Sequence, residues 1–200
     1  MDIIIPFASR DPKTRLSGRL SLSERREFAR TMLDDVLAAV STTDHDPLVL
    51  AKAPLDIDIP ISVDSRPLSD AVNDIFGQQS LPFTILMADL PLIRPTEIRV
   101  LVEQKGDIVV APGLGGGTNA LVVRHPEFRV NYHDVSYRKH VRYARNIGAR
   151  VDEVDSFRLA LDVDKPCDLI EVLLHSNGHA HDWLVNHGYT VSNVHYRNYP

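Results

Sequence analysis

Short runs of Ile- and Val-rich residues alternate with longer amphipathic runs along this 200-residue chain. Apolar runs of about five residues, bounded by Pro, Gly or Asp, are typical of buried parallel strands. Strands that alternate with helices predict an α/β fold, with a mostly parallel sheet and helices on both faces. The predicted strands are Asp2–Pro6, Pro47–Ala51, Ile59–Val63, Phe83–Met87, Asp107–Ala111 and Ala120–Arg124, and the predicted helices are Ser23–Val40, Leu68–Phe76, Pro95–Glu103, Ser136–Ile147 and Pro166–Leu174.

Length and charge bound the class of protein. Two hundred residues suit one domain, and the net charge of −5 argues against a nucleic-acid-binding surface. The chain lacks the apolar run of about 18 residues that a membrane span needs, so we expect no membrane partner. Cys167 is the only cysteine, which precludes an intrachain disulfide and favours the cytoplasm. We interpret residues 1–175 as the domain and residues 176–200 as a short helix and an arm for a partner subunit.

Three aspartates are the candidate metal ligands. In α/β sheets, ligands bind beyond the carboxyl ends of the strands, and Asp89 directly follows a predicted strand. Asp162 and Asp164 are separated by one residue and lie on the same side of an extended segment. Mg²⁺ prefers such carboxylates together with substrate phosphates. The alternative is that Asp89 is a turn residue, Asp164 caps the next helix and Asp162 is merely exposed.

Two loops could bind phosphate. The loop after the first strand carries Lys13 and Arg15, which suit a triphosphate, but it lacks the glycines of a P-loop. The second loop has four glycines within residues 113–117, followed by Thr118 and Asn119, and its backbone amides and side-chain donors suit an anion. A solvated basic loop and a flexible hairpin are the alternatives.

Ser136 stands at the start of a predicted helix. It is a candidate either for capping that helix or for binding a phosphate at the helix N-terminus. His140 lies one turn further on, where a partly exposed helix residue is the alternative interpretation. The cluster of His175, His179 and His181 lacks a cysteine or carboxylate at zinc-site spacing, so we predict no zinc site there.

An ordered set of motifs resembles the 2-phospho-L-lactate guanylyltransferase family over about residues 1–175. The matching segments are Lys13-Thr14-Arg15-Leu16, Met32-Leu33-x-Asp35-Val36, Asp89-Leu90-Pro91, Gly117-Thr118-Asn119-Ala120-Leu121, Ser136-x₃-His140-x₃-Ala144 and Asp162-Val163-Asp164-x-Pro166-x-Asp168-Leu169. The chain departs from the family where many members carry glycines before the matching serine, since His133, Asp134 and Val135 stand there. It also has Leu68-Ser69 in place of Leu-Asn.

The resemblance implies a homodimer of single-domain, Rossmann-like nucleotidyltransferases. It implies transfer of GMP from GTP to 2-phospholactate, phosphoenolpyruvate or a phosphoglycerate, with release of pyrophosphate, as a step in coenzyme F(420) biosynthesis. By the same resemblance, Asp89, Asp162 and Asp164 hold Mg²⁺, and Thr118 and Ser136 bind the acceptor phosphate, with Asn119 beside them. Lys13 and Arg15 would hold the β- and γ-phosphates of GTP. The alternatives are a nucleotidyltransferase with a sugar-1-phosphate or molybdopterin acceptor, and an inactive nucleotide-binding protein.

Overall fold

The computed structural model describes residues 1–76 and 80–195. The described strands form one sheet and have the following bounds: β1 Asp2–Phe7, β2 Asp46–Ala51, β3 Ile61–Val63, β4 Phe83–Leu86, β5 Ile108–Pro112, β6 Thr118–Val123 and β7 Val151–Glu153. Their order across the sheet is β3-β2-β1-β4-β6-β5-β7. β6 runs antiparallel to both of its neighbours, whereas the other described pairs are parallel. The predicted mostly parallel α/β sheet is therefore confirmed.

Helices cover both faces of this sheet. A 3₁₀ turn at Thr14–Leu16 precedes the α-helices, which are α1 Leu22–Ser41, α2 Leu68–Ile75, α3 Pro95–Glu103, α4 Ser136–Asn146, α5 Phe157–Ala160, α6 Asp168–His175, α7 His179–Asn186 and α8 Val191–His195. Successive side chains of a strand point to opposite faces. Accordingly, Ile3 and Ile5 join one buried cluster with residues of α1, α3, α6 and α7, while Ile4 joins a second cluster with residues of α2 and α4.

The structure corrects several element bounds and adds elements that the sequence did not predict. β7 and α5 were not predicted, because each has only three or four residues. α1 begins at Leu22, one residue earlier than predicted, because Ser21 and Glu24 form a reciprocal capping box. α6 begins at Asp168, two residues later than predicted, and β6 begins at Thr118, two residues earlier.

The tail after residue 175 contains two further helices, α7 and α8. α7 packs on α1, where the rings of Phe28 and Trp183 lie 5.2 Å apart. The boundary at residue 175 stays a prediction, and residues 196–200 of the predicted arm lie outside the described residues. No helix in the described part of the chain combines the length and apolar composition needed to cross a bilayer.

Candidate active site

Asp89, Asp162 and Asp164 come together beyond the carboxyl end of β4. One carboxylate oxygen from each lies within 4.8 Å of the other two. Asp89 follows β4 by three residues, and its carbonyl accepts a hydrogen bond from the backbone N–H of Val163 at 3.1 Å. This backbone contact fixes the segment of Asp162 and Asp164 against the end of β4. The sequence prediction that the three residues share one site therefore agrees with the geometry.

Asp164 does not cap the helix that follows it. The Asp168 carboxylate accepts hydrogen bonds from the backbone N–H groups of Asp164 and Lys165, at 2.9 and 2.6 Å. The N-cap residue of α6 is Cys167, which makes no side-chain capping bond, so the alternative role of Asp164 as a helix cap is wrong. The Asp164 side chain instead points to the basic loop.

Lys13 joins that basic loop to the acidic cluster. Its ammonium donates to Asp89 Oδ2 at 2.5 Å and to Asp164 Oδ1 at 2.8 Å, while Arg15 donates to Asp164 Oδ2 at 2.9 Å. Burial opposes the charge on Lys13, but the two carboxylates outweigh burial and raise the pKa of Lys13 above its usual value. Lys13 is therefore charged at neutral pH. Its largely buried side chain and the exposed side chain of Arg15 both contact the cluster.

The backbone at Lys13 is left-handed, with φ 53° and ψ 46°. Residues other than glycine rarely adopt this conformation, and when they do they concentrate at functional sites. Arg25 of α1 holds the preceding residues in place, because its guanidinium donates to Asp11 Oδ1 at 2.7 Å and to the carbonyl of Pro12 at 2.5 Å. The loop is thus anchored rather than loosely solvated.

Asn119 links the acidic cluster to the glycine-rich segment. Its amide nitrogen donates to Asp162 Oδ1 at 3.1 Å and to the carbonyl of Leu159 at 2.9 Å. Burial raises the pKa of Asp162, a rise that the hydrogen bond from Asn119 opposes and the neighbouring carboxylates reinforce. Residues 113–117 form a hairpin between β5 and β6, as the alternative interpretation of the glycines predicted. This hairpin places Asn119 at the edge of the sheet where Asp89 lies.

Thr118 and Ser136 form a buried hydroxyl pair beside this hairpin. Ser136 Oγ donates to Thr118 Oγ1 at 3.2 Å, and the two residues are 2% and 3% exposed respectively. The alternative that Ser136 caps α4 is wrong, since Val135 occupies the N-cap position and Ser136 is the first residue of α4. Its hydroxyl faces Thr118 because α4 begins against the hairpin, where the backbone N–H of Tyr137 donates to the carbonyl of Gly116 at 3.2 Å. His140 is fully buried against the same pair, contrary to the alternative of partial exposure.

A cavity of about 330 Å³ opens next to the acidic cluster. It lies beyond the ends of β1 and β4, and its lining includes Phe7, Lys13, Arg15, Met32, Asp89 and Asp164. Its position agrees with the rule that ligands bind at the carboxyl edge of an α/β sheet. It combines apolar walls with paired charges, as a site for a charged small molecule requires.

The donor set of this cluster fits a hard divalent cation. Asp89 Oδ1 is buried and has no hydrogen-bond partner among the described residues. A buried carboxylate oxygen without a partner is costly, and a cation beside it would remove that cost. Lys13 and Arg15 contact Asp89 and Asp164, whereas the third carboxylate, Asp162, contacts the neutral Asn119 amide, so a cation would offset the remaining negative charge of the cluster.

Solved structures place the fold among the nucleotidyltransferases. The protein is similar to a candidate nucleotide-diphospho-sugar transferase from Desulfovibrio desulfuricans G20, with a TM-score of 0.79 and 16% identity over 96% of this chain and 97% of that one. It is also similar to 2-C-methyl-D-erythritol 4-phosphate cytidylyltransferase from Thermus thermophilus, with a TM-score of 0.55 and 17% identity over 84% of this chain and 95% of that one. The fold is that of the nucleotidyltransferase class.

Sequence comparison then gives the family. Residues 1–198 match the family model described as "Guanylyl transferase CofC like". The chain is 52% identical to the 2-phospho-L-lactate guanylyltransferase of Halomicrobium mukohataei over 92% of its own length and 91% of that protein. It is 50% identical to the enzyme of the same name from Natronomonas pharaonis over 96% and 94% of the two lengths. The chain belongs to the CofC-like guanylyl transferase family, and the resemblance stated from its motifs is confirmed.

Proposed function

We propose that the protein transfers GMP from GTP to 2-phospho-L-lactate, with release of pyrophosphate, as a step in coenzyme F(420) biosynthesis. Phosphoenolpyruvate and phosphoglycerate are the other acceptors of the same three-carbon phospho-acid class. The observation that carries the proposal is the convergence of Lys13 and Arg15 with three aspartates, Asp89, Asp162 and Asp164, at one edge of the sheet. Asn119 contacts Asp162 there, and the buried hydroxyl of Thr118 is next to Asn119 in the chain. Relatives about half identical over nearly their whole length bear the name of this activity.

The reaction needs positioning and charge neutralisation more than a general base. An oxygen of the acceptor phosphate attacks the α-phosphorus of GTP, and the bond from that phosphorus to the oxygen bridging to the β-phosphate breaks. A phosphate monoester is already anionic near neutral pH, so it needs no residue to remove a proton. Lys13 and Arg15 supply two positive charges for the β- and γ-phosphates and stabilise the departing pyrophosphate. Thr118, Ser136 and Asn119 supply polar groups on the acceptor side.

We further propose that Asp89, Asp162 and Asp164 hold Mg²⁺. The unpartnered Asp89 oxygen and the remaining negative charge of the cluster support this assignment. When bound, Mg²⁺ supplies positive charge that neutralises the phosphate oxygens near the reacting phosphorus. The three carboxylates would fix the position of the ion. Asn119 holds Asp162 in place through its amide.

A substrate panel tests this function. Each of the four ribonucleoside triphosphates is combined with 2-phospholactate, phosphoenolpyruvate, 3-phosphoglycerate and a sugar 1-phosphate, and pyrophosphate release is followed with Mg²⁺ and with EDTA. We expect release with GTP, Mg²⁺ and a three-carbon phospho-acid. Release with the sugar phosphate alone would assign the protein to a different acceptor class, and no release in any combination would contradict an enzymatic role.

We also propose a cytoplasmic homodimer, on the basis of the family resemblance and the single cysteine. Light scattering coupled to size-exclusion chromatography tests the dimer, and a mass near twice 22.4 kDa is expected. A variant that ends at residue 195 tests whether the predicted arm stabilises the dimer. A monomeric full-length protein would contradict the assembly without affecting the proposed reaction.

A further inference from the structure

His140 lies fully buried between the hydroxyl pair and the segment 130–132. Its Nδ1 lies 2.8 Å from Thr118 Oγ1, and its Nε2 accepts the backbone N–H of Asn131 at 2.8 Å. Both ring nitrogens therefore have a protein partner. One of these partners belongs to the acceptor side of the site in the proposed function.

The contact with Asn131 determines which ring nitrogen carries the proton. A backbone N–H can only donate, so Nε2 must be unprotonated. Burial, with a smaller contribution from Lys139, lowers the pKa of His140 to about 4, so the ring is neutral at neutral pH. The single ring proton then resides on Nδ1, and His140 donates it to Thr118 Oγ1.

The Thr118 oxygen thus accepts two hydrogen bonds, one from His140 and one from Ser136. A hydroxyl oxygen has two lone pairs and one hydrogen. With both lone pairs occupied, the Thr118 hydrogen must point in the remaining direction, away from both donors. No described residue accepts a hydrogen bond from this hydroxyl. Thr118 is therefore held as an oriented donor.

The ring itself is held by a fixed segment. Three consecutive backbone N–H groups in this segment donate to side chains: Val130 to Asn73 Oδ1 at 2.8 Å, Asn131 to His140, and Tyr132 to Ser69 Oγ at 2.9 Å. Asn73 and Ser69 belong to α2, whereas His140 belongs to α4. This gives Ser69 a structural role that the sequence did not predict. The segment bridges the two helices and fixes the orientation of the imidazole.

We propose that His140 is a positioning residue that orients the Thr118 hydroxyl as a hydrogen-bond donor to the acceptor's phosphate. The inference rests on the proposed function, because it assumes that the phosphate lies against Thr118. It predicts that the Nδ1 proton supports binding of the acceptor, and that the Nε2 contact has a separate, structural effect.

Two amide variants separate the contacts of the ring. In His140→Asn the amide nitrogen can stand near the position of Nδ1 and still donate to Thr118, but the acceptor for Asn131 is lost. In His140→Gln the amide oxygen can reach the position of Nε2 and still accept from Asn131, but the donor to Thr118 is lost. We expect His140→Gln to raise the KM for 2-phospholactate at least tenfold, and His140→Asn to change it by less than about threefold. The KM for GTP should stay near the wild-type value in both.

Two further variants serve as controls. One tests whether any histidine substitution changes KM, and the other tests whether the effect of His140 acts through the Thr118 hydroxyl. His181→Gln, in a helix where the ring pairs with Asp182, should leave both KM values unchanged. On a Thr118→Val background, His140→Gln should add little, because its effect acts through the lost hydroxyl. Equal effects of the two His140 variants on the acceptor KM, or equal changes in both substrates' KM values, would overturn the inference.

A measurement without substrate tests the tautomer itself. Long-range ¹⁵N–¹H correlation spectra of wild-type protein, with the His140 signal assigned by its loss in His140→Asn, should show the proton on Nδ1. A proton on Nε2 would overturn the inference even if the variants fold poorly. A wild-type protein inactive with every acceptor would instead contradict the proposed function, while the spectrum still decides the tautomer.

Discussion

Gly113 determines where the Asn119 amide can lie. A Cβ atom at Gly113 would stand 2.7 Å from Asn119 Oδ1 and 2.9 Å from its Nδ2. The amide would therefore have to move, although it holds Asp162 at 3.1 Å and is itself held by the carbonyl of Leu159. Because residue 113 has no side chain, the Asn119 amide has room to hold Asp162, a proposed metal ligand.

Gly113→Ala should therefore lower both kcat and stability, because the Asn119 amide must move. Overpacking of this kind costs about 1–3 kcal/mol of stability, which corresponds to a fall in Tm of about 2–12 °C for a chain of this size, and we expect a tenfold to hundredfold loss of kcat. Gly115→Ala is the control in the same hairpin, because a Cβ there would meet no atom within 4 Å. Initial rates and thermal unfolding check both variants, and equal activity of the two would contradict the role of Gly113.

His140 should also affect the dependence of stability on pH. Its pKa falls from 6.5 to about 4 on burial, so the unfolded chain binds a proton more readily than the folded protein. The contribution of His140 is fully present above pH 6.5 and is lost as pH falls through 4, with a maximum of about 3 kcal/mol. The titratable groups facing the ring are Lys139 on its own helix and Tyr132 on the adjoining segment.

Urea unfolding at pH 7.5 and pH 4.5 measures this contribution. When the pH is lowered from 7.5 to 4.5, the free energy of unfolding should fall more for the wild-type protein than for His140→Asn. The variant has no imidazole to protonate at this position. The comparison between the two proteins removes the effect of carboxylates such as Asp35, which titrate in both. A difference between them that stays constant with pH would show that His140 is not buried as a neutral ring.

At the scale of elements, Asp35 joins two helices that are far apart in the chain. Its carboxylate, on α1, accepts hydrogen bonds from the backbone N–H groups of His179 and Ala180 at 2.6 and 2.9 Å. Burial raises the pKa of Asp35, and those two hydrogen bonds partly offset the rise. Gly178 lies directly against the carboxylate, where a Cβ atom would clash with it. α7 is therefore anchored at its N-terminus by a side chain of another helix.

Asp35→Ala should loosen α7 and destabilise the protein by about 1–3 kcal/mol, because the buried N–H of Ala180 and the partly buried N–H of His179 lose their acceptor. Asp34→Ala is the control, since Asp34 forms an i,i+4 pair with Arg30 at the surface and should contribute less than about 0.5 kcal/mol. Urea unfolding measures both changes, and hydrogen exchange should show lost protection in residues 180–186 only for Asp35→Ala. Equal free energies of unfolding would argue against the anchor.

The sequence predicted β1, β2, β4 and β5 well, because each contains a buried run of apolar residues with clear boundaries. It could not predict the direction of β6 from its apolar run alone, since buried parallel and antiparallel strands read alike. The five-residue link from β5 carried the missing signal, because a hairpin can join only antiparallel neighbours. β7 was not predicted because its three residues, Val-Asp-Glu, are too few to show an alternating pattern and two of them are acidic.

The charged part of the site was also readable from the sequence, because Asp89 and the basic loop each follow a predicted strand, and Asp162 and Asp164 are carboxylates one residue apart in an extended segment. His140 was noticed, but its burial and tautomer depend on Asn131, which comes from a separate loop. Its spacing from Ser136 carried a weak signal, since residues four apart on a helix share a face. The sequence does not show that Asn131 contacts His140, and this contact determines which ring nitrogen carries the proton.

For the whole molecule, the central claim is that the acidic cluster supports transfer of GMP between two phosphate-bearing ligands. Phosphorus NMR of GTP, Mg²⁺ and 2-phospholactate with the protein follows both products at once. We predict a new pair of coupled diphosphate resonances together with pyrophosphate, abolished by EDTA and slowed at least about hundredfold by Asp162→Asn. The exposed surface variant Asp182→Asn should behave as wild type. Unchanged GTP, hydrolysis without a joined product, or full activity of Asp162→Asn would contradict the account.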